Sequence, residues 1–203
     1  LKHAAVQVEK FVAGETLVAM RRTGDAAADN PLALMGRLRP MLSTFPYASL
    51  TLAGRDKPVV VLKARAESLD PQLLATLDHE LGLDDLARAL SYKDSRRDIA
   101  KQALVEDDRV TAVRLAGEAQ ASEWLTDMMV RGESATPVRP WLLAPVTQPP
   151  AGKVMRGKVV CNCFDVSEDD ILAAFRGGEG LEQLQTRTKC GTNCGSCVPE
   201  LKR

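Results

Sequence analysis

Cysteine spacing near the carboxyl end constrains this chain more than any other feature. Four of its five cysteines form the short segments Cys161-Asn162-Cys163 and Cys194-Gly195-Ser196-Cys197, which residues 164–193 separate. Four thiolates that converge make a soft, anionic site, and such a site selects an iron–sulfur cluster or zinc over hard cations. The C-x-C half favours a cluster held between two loops, because tetrahedral zinc sites more often use C-x-x-C or C-x4-C pairs.

Two other uses of these cysteines stay open at this point. Zinc is the main alternative to a cluster, and a pair of disulfides is a weaker one, because five cysteines are an odd number. A cluster site also predicts a reducing compartment, where thiols persist. We therefore expect the protein to be cytoplasmic.

The residues after the first cysteine pair predict a well-defined helix. Ser167 is a good N-cap, and Asp170 stands where a capping box places its acidic side chain. Gly177-Gly178 should end this helix. Three apolar side chains are expected on its inner face: Ile171, Leu172 and Phe175.

The remainder of the cysteine-rich segment predicts two short helices and a glycine loop. A second helix is expected over residues 181–187 and a last one over residues 198–201. Between them, Gly191 and Gly195 allow backbone N–H groups to approach a cluster without an intervening side chain. The start of the last helix would direct further N–H groups at a negatively charged cluster.

The stretch from Val159 to Lys202 resembles the bacterioferritin-associated ferredoxin-like 2Fe–2S domain, a small helical fold. Its segment Lys189-Cys190-Gly191-Thr192-Asn193-Cys194-Gly195-Ser196-Cys197-Val198-Pro199-Glu200-Leu201 is similar to the version at the C-terminus of the catalytic subunit of bacterial assimilatory nitrate reductases. The first ten residues, from Leu1 to Lys10, resemble the exit from the molybdopterin-dinucleotide domain of the same enzymes.

This resemblance implies a ligand set. The four cluster-binding and metal-binding residues would be Cys161, Cys163, Cys194 and Cys197. Cys190 falls outside that set, and a small side chain packed beside the cluster loop is its simplest role. No catalytic residues are expected in this segment, which shows no nucleophile elbow, P-loop or dinucleotide fingerprint.

The resemblance also implies a function. The segment would relay electrons within a molybdopterin-dependent nitrate reductase, an oxidoreductase that reduces nitrate to nitrite in nitrate assimilation. Molybdenum on molybdopterin guanine dinucleotide and a 4Fe–4S cluster would lie in catalytic domains upstream in the same chain. The electron donor would be an NADH-dependent flavoprotein subunit, ferredoxin or flavodoxin.

Two alternatives use the same cluster differently. NADH-dependent nitrite reductases and related flavoproteins carry a domain of this kind. A ferredoxin-like module that only binds a partner is the other alternative, although such a module needs little more than the last fifty or so residues.

Proline marks a domain boundary. Five prolines lie between Pro137 and Pro150, and such a stretch favours extended, semi-rigid backbone over helix. We therefore predict a Pro-rich linker over residues 137–153, with an α+β domain before it (41–136) and the 2Fe–2S domain after it (154–203). Residues 1–40 are predicted to be a tail and connector from an upstream domain, with one short helix before Pro40.

The predicted α+β domain contains a small antiparallel sheet with packed helices. Period-two or continuous apolar patterns predict five strands, at residues 48–52, 59–62, 87–93, 99–105 and 110–115, the last three as a meander. Helices are predicted from Pro71, with leucines along one side, and over residues 119–130. This pattern weakly resembles the small interface domains of flavin-dependent reductases.

Charge and hydropathy argue against nucleic acid and a membrane as partners. Lys plus Arg and Asp plus Glu each number 27, so the chain has no net field to attract nucleic acid or an anionic membrane. No apolar run approaches the roughly 20 residues that a membrane span requires. We expect neither nucleic acid nor a membrane as a partner.

Overall fold

The chain divides into two units, Leu1–Lys153 and Val154–Arg203, in a computed structural model. The structure describes residues 15–24, 30–55, 57–149, 157–161 and 163–202. The resemblance of Leu1–Lys10 to a molybdopterin domain, and the end of the predicted linker at residues 150–153, lie outside these ranges. Each unit has a hydrophobic core of its own.

A six-stranded antiparallel sheet organises the first unit. Its spatial order is β2-β3-β1-β6-β5-β4. The strands are β1 (Glu15–Arg22), β2 (Tyr47–Ala53), β3 (Val59–Ala66), β4 (Ala89–Asp94), β5 (Ile99–Glu106) and β6 (Arg109–Ala116). All five predicted strands are present, and the last three form the predicted meander.

Strand β1 corrects the prediction of a connector over residues 1–40. It lies in the middle of the sheet and pairs with β3 on one side and β6 on the other. The run from Leu17 to Met20 is buried on both faces. A strand covered on both faces shows no polar–apolar alternation, so the period-two test did not detect it.

Helices cover both faces of this sheet. They are α1 (Pro31–Leu38), which a 3-10 helix continues over Arg39–Thr44, α2 (Pro71–Leu81) and α3 (Ser122–Arg131). Leu17 and Ala19 of β1 share a core with α1 and α2. Successive side chains of a strand point to opposite faces, so Met20 lies on the other face of the sheet. There its sulfur accepts a hydrogen bond from the hydroxyl of Thr126 in α3.

Capping contacts define the ends of α1 and α2. Asn30 begins α1, since its side chain accepts a hydrogen bond from the Leu32 N–H at 2.8 Å. Asp70 begins α2 in the same way, and Gly82 ends it with a φ of 70°. The α+β prediction is thus confirmed as a mixed fold with an antiparallel sheet and packed helices.

The first half of the predicted Pro-rich linker packs on the first unit instead. Residues Thr136–Trp141 form a 3-10 helix, in which Pro137 occupies the first turn, where no N–H is needed. Leu142 is fully buried. Beyond it, the Leu143 carbonyl accepts a hydrogen bond from the Lys101 ammonium at 3.2 Å, and the Val146 carbonyl accepts one from the Trp124 indole N–H at 3.0 Å. The extended backbone that the prolines predicted from residue 137 is therefore not found, whereas the apolar run from Trp141 to Leu143 predicted that this segment packs against a neighbour, as Leu142 does.

The second unit is a two-stranded ribbon with three helices. Its elements are β7 (Val159–Cys161), β8 (Val166–Ser167), α4 (Glu168–Arg176), α5 (Leu181–Thr188) and α6 (Val198–Leu201). The capping box of Ser167 and Asp170 is present at the start of α4. One detail of α4 differs: Ile171 and Ala174 are buried, whereas Leu172 and Phe175 are each 40% exposed.

An ion pair links α2 to the sheet inside the first unit. The Arg114 guanidinium of β6 donates to both carboxylate oxygens of Asp78, at 2.8 and 2.9 Å. Arg114 also donates to the Ala100 carbonyl at 2.7 Å. Both charged residues are buried, so each depends on the other for its hydrogen bonds.

This arrangement predicts unequal effects of two substitutions in α2. Asp78→Ala leaves the Arg114 charge buried and unpaired, and should lower the free energy of unfolding by about 3–5 kcal/mol. Glu80→Ala removes only the exposed pair with Arg37 and should cost less than about 1 kcal/mol. Urea unfolding followed by tryptophan fluorescence measures both, since Trp124 and Trp141 lie in the first unit. Equal losses would contradict the assigned role of the buried pair.

Candidate metal centre

Three thiols converge inside the second unit. Cys161 ends β7, Cys190 follows α5, and Cys197 precedes α6. Their sulfurs all lie within 4.8 Å of one another, and all three residues are buried. The sulfurs of Cys190 and Cys197 are 3.9 Å apart.

The remaining two cysteines form a pair at a more exposed position. The sulfurs of Cys163 and Cys194 are 3.3 Å apart. Cys194 is exposed and Cys163 is partly buried. The hydroxyl of Ser196 lies 3.1 Å from the Cys194 sulfur.

A tight turn after α5 sets the position of the second cysteine segment. Lys189 ends the helix with a φ of 60°, and the N–H of Cys190 donates to the Thr188 hydroxyl at 3.2 Å. Gly191 has a φ of +81°, and an added Cβ there would lie 3.0 Å from the Gln185 amide nitrogen and 3.2 Å from a Val198 methyl. Glycine is required at this position by both conformation and space.

Backbone N–H groups stabilise negative charge at Cys161. Burial alone would raise the pKa of this thiol, but hydrogen bonds from the Gly191 and Phe164 N–H groups outweigh burial, and the pKa is lowered. The hydrogen bond from the Gly191 N–H to the Cys161 sulfur is the close backbone contact that was predicted for the glycine loop. At Cys194, the Ser196 hydroxyl and backbone N–H lower the pKa to about 7.

The two other buried thiols behave differently. Burial and the neighbouring Cys161 raise the pKa of Cys190 to about 12. Burial also raises the pKa of Cys197. Without a metal, these thiols hold their protons, as apolar surroundings dictate.

This donor set fits a 2Fe–2S cluster. Two sulfurs on one tetrahedral ion lie roughly 3.8 Å apart when each metal–sulfur bond is about 2.3 Å. The Cys163–Cys194 distance of 3.3 Å and the mutual distances within 4.8 Å among Cys161, Cys190 and Cys197 are compatible with two ions, each held by one cysteine from each segment. Among the described residues, the group of side chains that could hold a metal ion consists of thiols alone: Cys161, Cys190 and Cys197.

The structure brings the predicted ligands together in two groups, one with Cys161 and Cys197, the other with Cys163 and Cys194. The assignment of these four as the ligands stays a prediction. Cys190, which was predicted to pack beside the cluster loop, lies among the sulfurs of Cys161 and Cys197 instead. Its C-x3-C spacing to Cys194 was the available signal.

One protein family and several known proteins are similar to parts of this chain. Residues 159–203 match the family described as the BFD-like [2Fe-2S] binding domain. A nitrate reductase from Klebsiella oxytoca is 52% identical over 48 residues, which are 23% of this chain and 6% of that protein. The large subunit of the Escherichia coli NADH nitrite reductase is 29% identical over 122 residues, 56% of this chain and 14% of that protein.

A third relative is the electron transfer subunit of the Bacillus subtilis assimilatory nitrate reductase, 24% identical over 119 residues, 57% of this chain and 15% of that protein. The matched segments thus span at most about a seventh of the length of these three relatives. No solved structure is significantly similar to the chain. An iron–sulfur domain shared with nitrate and nitrite reductases is therefore established for the second unit.

The described residues contain no helix that is both long and apolar enough to cross a membrane.

The ligand prediction is tested by single Cys→Ser substitutions. Replacing Cys161, Cys163, Cys194 or Cys197 should reduce the iron content well below about two per chain, the content of a 2Fe–2S cluster. Ser196→Ala is the matched control, because its hydroxyl contacts Cys194 without being a ligand, and it should keep the iron. Iron and acid-labile sulfide are measured on protein purified without oxygen. Any of the four variants that keeps a full cluster identifies a residue that is not a ligand.

Proposed function

We propose that this chain is an electron-relay region of a molybdopterin-dependent nitrate reductase that acts in cytoplasmic nitrate assimilation. The observation that carries the proposal is the all-cysteine centre of the second unit, in the segment that matches a 2Fe–2S family. Such a cluster supplies one-electron transfer and no bond chemistry of its own. The segment is thus a relay, and the substrate is reduced elsewhere in the enzyme.

The protein contributes two features to this relay. Cys161 and Cys197 are buried at one side of the centre, where the Gly191 and Phe164 N–H groups face the Cys161 sulfur. Donors of this kind and limited solvent access set the reduction potential of a cluster. Cys194, at the other side, is exposed, and an electron donor can approach the centre there.

The nitrate reductase proposal has support from the cysteine segment. Over 48 residues, close to the length of the second unit, the chain is 52% identical to a nitrate reductase. In the proposed enzyme, electrons pass from an NADH-dependent flavoprotein, ferredoxin or flavodoxin through this cluster. They continue to a 4Fe–4S cluster and a molybdenum centre in upstream domains, where nitrate becomes nitrite.

One observation favours a second candidate. Similarity to the NADH nitrite reductase large subunit covers 56% of this chain. That share exceeds the second unit, Val154–Arg203, so it must extend into the first. In the second candidate, the first unit belongs to a flavin-dependent nitrite reductase and the cluster carries electrons toward nitrite.

The complete enzyme with Cys194→Ser tests the relay. Reduction of nitrate by the physiological donor should fall to background, because the exposed ligand of the cluster is gone. Nitrate reduction by a small dye that feeds the molybdenum centre directly should continue near the wild-type rate. Thr186→Ala, which removes an exposed hydroxyl bonded to the Glu182 carbonyl in α5, should keep both activities.

The wild-type enzyme is assayed with nitrate and nitrite in parallel. Turnover of nitrite alone would support the second candidate over the first. Equal loss of donor-driven and dye-driven activity in Cys194→Ser would show that the second unit supports the catalytic domains structurally and does not relay electrons.

A further inference from the structure

Cys190 lies among the ligand sulfurs although a 2Fe–2S cluster requires only four thiolates. We propose that Cys190 is a positioning residue of the cluster: its thiol stays off the metal and donates a hydrogen bond to the sulfur of Cys161 or Cys197, which favours the reduced cluster. The inference rests on the proposed function, since it presupposes a cluster at this centre.

The surroundings of Cys190 leave its S–H few acceptors. Its side chain is 0% exposed, so water does not reach it. The sulfurs of Cys197, at 3.9 Å, and of Cys161, within 4.8 Å, are its close polar neighbours among the described residues. The other buried residues of this core are apolar: Val166, Ile171, Ala174, Leu184 and Leu201.

The pairing of the other cysteines explains why Cys190 is not needed as a ligand. Cys163 and Cys194 already form one pair, at 3.3 Å. Cys161 and Cys197 form the other, within 4.8 Å. Cys190 lies within the same distance of both Cys161 and Cys197, but with the predicted pairs each ion receives one cysteine from each segment, and the four thiolates that the cluster needs are present without Cys190.

The backbone around Cys190 holds its thiol in this place. The Thr188 hydroxyl accepts a hydrogen bond from the Cys190 N–H at 3.2 Å and donates to the Leu184 carbonyl at 2.7 Å. The Lys189 carbonyl accepts from both the N–H and the hydroxyl of Thr192, at 3.1 and 2.7 Å. The end of α5 and the turn that follows it thus fix the direction from which the thiol meets the ligand sulfurs.

A donor at this position acts on the reduction potential. Reduction adds negative charge to the cluster and its sulfurs, and a hydrogen bond to a ligand sulfur stabilises that charge. S–H is a weak donor in water, but an apolar, water-free core strengthens its electrostatic effect. Loss of the donor should therefore shift the midpoint potential to a more negative value.

Two substitutions separate the roles of the thiol. Cys190→Ala should keep the iron and sulfide of the wild type and lower the midpoint potential. At a fixed potential, the ratio of reduced to oxidised cluster should fall by up to about tenfold, which is about 59 mV for one electron. Cys190→Ser keeps a donor and should return the potential toward or above the wild-type value. A redox titration followed by the paramagnetic signal of the reduced cluster measures each shift.

Thr188→Ala tests the same inference with all five cysteines in place. It removes the hydroxyl that holds the Cys190 backbone and should shift the potential in the same direction as Cys190→Ala, by less. Thr186→Ala is its matched control: this hydroxyl bonds to the Glu182 carbonyl on the exposed side of the same helix. Its removal should leave the potential unchanged.

Three results would overturn the inference. Cys190→Ala at the wild-type potential with full iron would show that the thiol has no role. Loss of the cluster from both Cys190 variants would make Cys190 a ligand. Equal shifts in the Ala and Ser variants would assign the effect to sulfur packing. A wild-type protein without iron and sulfide would instead contradict the proposed function itself, so the two failures are distinguishable.

Discussion

Buried sulfur is the constraint on which the second unit depends. Cys161, Cys190 and Cys197 are in its core together with a small number of apolar side chains. A unit of this size buries little apolar surface, and three cysteine side chains beside one another add only weak interactions. A bound metal joins the two cysteine segments, which come from opposite ends of the unit, and thereby contributes to the folding free energy. Helices α4 and α5, which lie between the segments in sequence, then act as the frame that holds them together.

The first unit depends on different interactions. Its sheet is covered on both faces, two of its buried charged residues, Asp78 and Arg114, pair with each other, and the start of the Pro-rich segment packs on it through Leu142. None of these contacts involves a cysteine, because all five lie in the second unit. The candidate metal centre therefore lies in the last fifty or so residues, whereas the match to a nitrite reductase large subunit, over 122 residues, is longer than the second unit.

Local signals made much of this fold predictable. The Ser167–Asp170 capping box, the leucines of α2 and the alternation in the meander depend on near neighbours in the sequence, and each was found where its pattern indicated. Strand β1 was missed, because its burial on both faces comes from partners far along the chain. Spacing predicted that the two cysteine segments converge, although it did not predict which cysteines lie together. The C-x3-C spacing to Cys194 placed Cys190 near the metal site, but its exact position is set by a left-handed turn at Lys189 and by the space left beside Gly191.

Metal and sulfide analysis of the purified chain, combined with spectroscopy before and after reduction, tests the central claim most directly. The account predicts about two irons and two acid-labile sulfides per chain, with a paramagnetic signal only in the reduced protein, since a 2Fe–2S cluster accepts one electron. One zinc per chain without sulfide, in protein prepared anaerobically, would contradict it: the same thiols would then form a structural site that carries no electrons.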